Sequence, residues 1–164
     1  MTSEFIFIIL IAFCVGFIVI LYGIYLAIKS NDTKKWHKTT GVVLKSELEK
    51  TSTAAGYDGE SQSFKAAIEY RYKVDNQEYT SKRIFYGDKI SKPLPFKSKS
   101  LVNQYSKNSK IIVNYNPIKP KESVLQKGLK FIVIEILILG MFFIILGFVI
   151  IKYEGVIISL FDVA

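Results

Sequence analysis

Cysteine, histidine and tryptophan occur once each in the 164 residues, as Cys14, His37 and Trp36, and proline only four times. A lone cysteine excludes an intrachain disulfide framework. Cys14 and His37 together fall short of the four or so ligands that a structural zinc site takes. Neither residue has a local partner for nucleophilic or general-base work. His37 is flanked by Lys35 and Lys38, and Cys14 lies inside an unbroken apolar run, where a cysteine packs as a small apolar side chain. No glycine-rich phosphate loop is present: Gly56-Tyr57-Asp58-Gly59 has neither the lysine nor the following helix that such a loop needs. Glu47 and Glu49, or Asp58 and Glu60, lack metal-ligand spacing and read as solvated surface. Arginine appears only at Arg71 and Arg83. No cofactor and no catalytic centre are expected, so the chain is read as a non-enzyme.

Apolar residues, by contrast, make up 50% of the chain, which excludes intrinsic disorder. Phe5 to Ile28 holds only Gly16 and Gly23 outside the hydrophobic set; Phe131 to Ile151 holds only Glu135, Gly140 and Gly147. These runs of 24 and 21 residues are each long enough to cross a bilayer of about 30 Å. Met1-Thr2-Ser3-Glu4 offers no basic n-region and no small-x-small site precedes Lys29, so the first run reads as a permanent anchor rather than a signal peptide. The expected organisation is transmembrane helix 5–28, soluble domain 29–130, transmembrane helix 131–151 and a tail 152–164. The fold class is a membrane protein in which two spans flank a small, mainly β (α+β) soluble domain.

Charge is concentrated in the middle segment, where residues 29–130 hold 21 of the 22 basic and 10 of the 14 acidic side chains, a net +11. Nine lysines lie within twenty residues of the spans on the domain side, against Lys152 alone beyond the second span. The positive-inside rule then places the domain in the cytoplasm and both termini outside, with a periplasmic or extracellular domain as the alternative.

Within the domain, Thr40 to Leu44 reads as a strand start, with Gly41 inside it, and Lys45 to Ser63 reads as a mobile loop for want of pattern. Phe64 to Val74 alternates, with Ile68, Tyr70, Tyr72 and Val74 on one face. Asp75-Asn76 should close a tight hairpin that sets Tyr72 opposite Tyr79, with Glu78 to Tyr86 as the return strand. Lys92-Pro93-Leu94-Pro95 stops regular structure. Ser98 to Lys107 suits a short helix presenting Leu101, Val102 and Tyr105; Lys110 to Tyr115 is a strand, Asn116-Pro117 its terminating turn, and Glu122 to Leu125 a last extended piece. Trp36 fits either a headgroup-level ring or a lid on the core.

Trp36 with Gly41-Val42-Val43, then Tyr70-Arg71-Tyr72-Lys73-Val74, then Val113-Asn114-Tyr115-Asn116-Pro117-Ile118-Lys119-Pro120 together resemble the bacterial family known as domain of unknown function 3592, whose signature is V-x-Y-N-P-x-x-P. The resemblance covers about 36–125. It implies a membrane-anchored small β domain and carries no family-wide catalytic residue. The chain departs from the family's usual pattern at two turns, where Asp75-Asn76 and Asn108-Ser109 replace glycine-containing sequences.

The functional expectation is a small bacterial inner-membrane binding or accessory protein, non-catalytic, whose β domain engages a partner protein or the membrane surface. The alternative is an immunity protein against a membrane-acting toxin. Anionic headgroups are the nearer partner for the net +11, and nucleic acid is not expected, since strand alternation sends the aromatics inward and the charges outward. A channel is disfavoured because neither span carries a polar stripe. Ala12, Gly16, Gly23 and Ala27 in the first span, and Gly140 and Gly147 in the second, suggest a small-residue seam between the spans or between copies. Glu135, the only ionisable side chain within the two spans, is expected to lock that pair through Tyr22 or Tyr25.

Overall fold

The computed structural model describes residues 3–54, 60–89 and 96–161, with side chains over 6–50, 63–89 and 96–153. It divides into two units, one of residues 1–28 with 131–164 and one of residues 29–130.

The first unit pairs the apolar part of helix α1 (Ser3–Asp32) with helix α3 (Phe131–Phe161). Both are long and apolar enough to cross a membrane. Glycine sets how close they come. A Cβ on Gly16 would sit 3.0 Å from the Gly140 carbonyl oxygen, and one on Gly140 would sit 2.6 Å from Ile20 Cγ1 and 3.0 Å from the Ile20 nitrogen. Gly23 faces Leu137, and Gly147 faces the ring of Phe13, which also meets Phe148 edge-on. Glycine at such contacts lets backbones approach so that dispersion and polar backbone contacts replace the missing hydrophobic drive. α3 leaves helical geometry at Tyr153, one residue beyond Lys152.

The second unit is a five-stranded antiparallel sheet in the order β3-β2-β1-β4-β5, with β1 His37–Ala54, β2 Glu60–Val74, β3 Gln77–Ser81, β4 Lys110–Tyr115 and β5 Ser123–Val124. Helix α2, Phe96–Gln104, packs on it. The buried alternation of Ile68, Tyr70, Tyr72 and Val74 is as the sequence predicts, Ala66 extends it, and Leu101, Val102 and Tyr105 meet that core. Asp75 and Asn76 both take positive φ, 49° and 63°, closing a two-residue hairpin that pairs Tyr72 with Tyr79 in stacked geometry.

Two expectations are corrected. Lys45–Ala54 and Glu60–Ser63 are not loop but a paired ribbon extending β1 and β2. The pattern fails there because a bulge at Leu44 separates the Val43–Tyr70 and Lys45–Glu69 pairs. It moves the inward side from odd positions, Gly41 and Val43, to even ones, Ser46 and Leu48. The return strand ends at Ser81 rather than Tyr86. Ile84 and Tyr86 are buried from turns, so they mimic alternation without strand geometry. Gly56 and Lys92–Pro95 lie outside the described residues.

The sheet curls until its ends meet. Tyr70 on β2 touches Ser123 on β5, three strands away, and the Ile84 carbonyl after β3 accepts the amides of Leu125 and Gln126 at 3.0 and 2.9 Å. Gly41 makes the curl feasible, because a Cβ there would stand 2.6 Å from the Arg71 carbonyl oxygen and 2.8 Å from Val113.

Candidate functional site: a cationic groove

The family-like signature builds the wall that closes this curl. Val113 is fully buried, and the neighbouring Asn114 amide donates to the carbonyls of Val124 and Leu125 at 3.3 and 3.1 Å. Asn116 then ends β4. Its carboxamide oxygen accepts from the Ile118 amide at 3.0 Å, its backbone amide donates to the Glu122 carbonyl at 2.8 Å, and its side-chain nitrogen meets Glu122 Oε2 at 3.3 Å. Pro117 is exposed within this turn, and Pro120 presents its carbonyl to the Tyr72 hydroxyl at 2.5 Å. Tyr115 is half-buried and meets His37 edge-on. Tyr72, Asn116 and Pro120 are therefore joined in one clasp.

Tyr70 is the second fastener. Its hydroxyl donates to the Arg83 carbonyl at 2.8 Å, so Ser123 Oγ, 3.0 Å away, must donate to it. Burial pushes the Tyr70 hydroxyl up to about 12 and raises Tyr72 as well. An unfolded tyrosine titrates near about 10. The fold thus holds the Tyr70 proton where the unfolded chain releases it, so the stability from this group is complete below about pH 10 and declines as pH rises towards about 12. Two units amount to about 3 kcal/mol at most. Urea midpoints of the detergent-solubilised chain, read through Trp36 fluorescence, should fall steeply above pH 10. Tyr70→Phe, which starts less stable by about 1–3 kcal/mol, should fall less steeply. Parallel curves for the two proteins would contradict the assignment.

With the aromatics and signature side chains spent on closure, the outer face is left to charge. Lys65, Lys82, Arg83, Lys89 and Lys121 line an open groove of about 380 Å³ where β2, the segment after β3 and the signature turn converge. Lys82 pairs with Glu69 at 3.5 Å, whereas Lys65, Lys89 and Lys121 have no carboxylate within 4.0 Å among the described residues. Arg83 lies over the Tyr86 ring at 4.7 Å, and Tyr86 meets Trp36 edge-on at 6.3 Å. Two carboxylates share the groove, Glu122 and Asp88. Asp88 accepts the Ile84 amide at 2.5 Å, and burial raises its carboxyl above the usual range against the opposing pull of that amide, Arg83 and Lys65. Five cations against two carboxylates leave a net positive recess that can hold an anion.

Among the sequence candidates, Trp36 is buried and supports this wall through Tyr86; Gly41, Tyr72, Asn116 and Pro117 belong to the curl and its clasp, and Tyr115 meets His37 beside them. Gly16 and Gly147 belong to the helical pair. Glu135, one turn into α3, is half-buried and is not a free carboxylate, and Tyr22 and Tyr25 are 46% and 52% exposed. Cys14 is exposed on α1. Among the described residues, no group of three or more His, Cys, Asp or Glu side chains is placed to hold a metal ion. The groove escaped sequence reasoning because its cations come from four separate stretches. The adjacent Lys82-Arg83 after the hairpin was the available signal.

The fold and groove define a class: a small, basic, clasped β domain between two candidate transmembrane helices. The profile of the family described as Domain of unknown function (DUF3592) matches residues 39–130, more than half of the chain, and the chain belongs to that family. No curated protein matches this chain.

Proposed function

We propose that this chain is a membrane-anchored, non-catalytic binding module whose β domain engages an anionic surface. The observation that carries the proposal is the division of labour in the sheet. Tyr70, Tyr72 and the signature asparagines are consumed inside, while a net +11 domain turns its lysines outward and gathers five cations in one groove. The lysine asymmetry around the candidate spans supports a domain on the cytoplasmic side of the membrane, in our reading a bacterial inner membrane, whose anionic headgroups are then the nearest partner. Each basic residue near such a surface contributes about 1 kcal/mol, so a handful suffices for adhesion. Nucleic acid is a poorer fit, since Tyr70, Tyr72 and Tyr86 are buried and Arg83 is occupied by Tyr86.

The test uses the full chain in phosphatidylcholine nanodiscs, mixed with heavy vesicles. Sedimentation is expected with vesicles of equal phosphatidylglycerol and phosphatidylcholine, and not with phosphatidylcholine alone. It should disappear in about 1 M salt, where the Debye length shrinks to about 3 Å. Equal sedimentation with both vesicle types would defeat the proposal.

A further inference from the structure

We propose that the groove is a discrete site for a phosphate monoester, a small dianion, rather than a stretch of generally sticky surface; the inference rests on the anion-binding reading above and names its ligand chemistry. Three observations converge on it. The volume of about 380 Å³ is at the small end of ligand sites, enough for a headgroup and too little for an extended polyanion. Lys65, Lys89 and Lys121 carry charge that no described carboxylate within 4.0 Å neutralises. Their origins on β2, after β3 and in the signature turn let them approach one ligand from separate sides. Such an arrangement favours a compact, multiply charged group over a monoanion, because each added cation acts on every unit of ligand charge.

The remaining groups are held in place. Asp88 accepts from the Ile84 amide, and the Ile84 carbonyl accepts from the amides of Leu125 and Gln126, so the segment that carries Asp88 is tied into the sheet closure. Arg83 rests on Tyr86 with Nη1 3.2 Å from its hydroxyl, and Tyr86 rests on Trp36. A ligand that draws the guanidinium towards the groove alters the surroundings of Tyr86 and, through it, the only tryptophan of the chain. The fold thus contains its own reporter.

Two sources can present this chemistry, a lipid headgroup such as phosphatidic acid or a soluble phosphate. The experiment titrates the full chain in phosphatidylcholine nanodiscs with inorganic phosphate and with glycerol 3-phosphate, at constant ionic strength made up with chloride. A parallel series places phosphatidic acid in the disc. Trp36 emission is expected to change saturably with the phosphates and not with chloride. A response confined to phosphatidic acid assigns the site to lipid, and a response to soluble phosphate assigns it to the free ion or ester; either supports the site. Lys65→Gln combined with Lys121→Gln should weaken binding about tenfold or more. Asp88→Asn keeps an oxygen for the Ile84 amide while removing a negative charge, and should tighten binding severalfold, a gain that misfolding cannot imitate. A phosphate response no different from that to chloride, or one untouched by these substitutions, overturns the site. If vesicle sedimentation persists in that case, only the groove is lost; if sedimentation fails while the phosphate response stands, only surface adhesion is lost.

Discussion

Gly41→Val leaves the β domain unfolded at room temperature, whereas Thr40→Val, at the exposed neighbour, changes stability little. The difference lies in what each side chain would meet. Gly41 pairs with Tyr72 on one side and Ile111 on the other, in the central strand of the sheet. Its absent Cβ would stand 2.6 Å from a backbone oxygen of Arg71, 2.8 Å from a methyl of the fully buried Val113 and 3.3 Å from Tyr72 Cβ. A methyl could be relieved by Val113→Ala, but the Arg71 carbonyl is fixed in the β1–β2 ladder. Overpacking of a core costs about 1–3 kcal/mol even where side chains can yield. Here the backbone must move, and a domain of this size holds only about 5–15 kcal/mol in total. Urea titration of the full chain in detergent, followed by Trp36 emission, should show about 3 kcal/mol lost for Gly41→Ala and no folded baseline for Gly41→Val. Gly41→Ala should recover only in part when Val113→Ala is added. Full recovery would mean that the Arg71 carbonyl does not define the limit.

Gly140→Leu disrupts the helical pair more than any other single glycine change in it. At Gly140 the new side chain meets both Ile20 Cγ1 and the Ile20 backbone nitrogen, and at Gly16 it meets the Gly140 carbonyl and Ile144. At Gly23 and Gly147 the obstacles are the side chains of Leu137 and Phe13, which can rotate. The expected order of harm is therefore Gly140 and Gly16 above Gly23 and Gly147, with about 1–3 kcal/mol at the first two. SDS titration of the full chain in mild detergent measures it as a lowered midpoint for loss of the α1–α3 pair. Equal midpoints for Gly140→Leu and Gly147→Leu would contradict the close backbone contact.

Legibility of this fold in its sequence followed burial. Phe64–Val74 could be read residue by residue because a single face is buried, so polarity and geometry share a period of two. Asp75-Asn76 could be read because both positions need positive φ, and Asn108, at the other departure from the family pattern, also takes it, at 65°. The ribbon beyond Leu44 was opaque because one bulged residue reversed the parity, so a continuous strand presented two out-of-phase patterns. Ile84 to Tyr86 misled in the opposite sense, since alternating burial arose from turns. The groove had no local signature at all. Lys65 and Lys121 come together only because Ile84 bridges the two ends of the sheet, a long-range contact that no window of sequence contains.

The claim that the β domain binds an anionic surface is tested most directly in membranes isolated from cells that express the full chain. A photoreactive amino acid replacing Lys121 leaves four of the groove's five cations; a second one replacing the exposed Asp75 at the hairpin tip serves as reference. After illumination of intact membranes, mass spectrometry of the adducts should find anionic phospholipid or phosphate ester at position 121, enriched over position 75. Adducts at position 121 formed only with another protein, or lipid adducts equal at the two positions, would contradict the account.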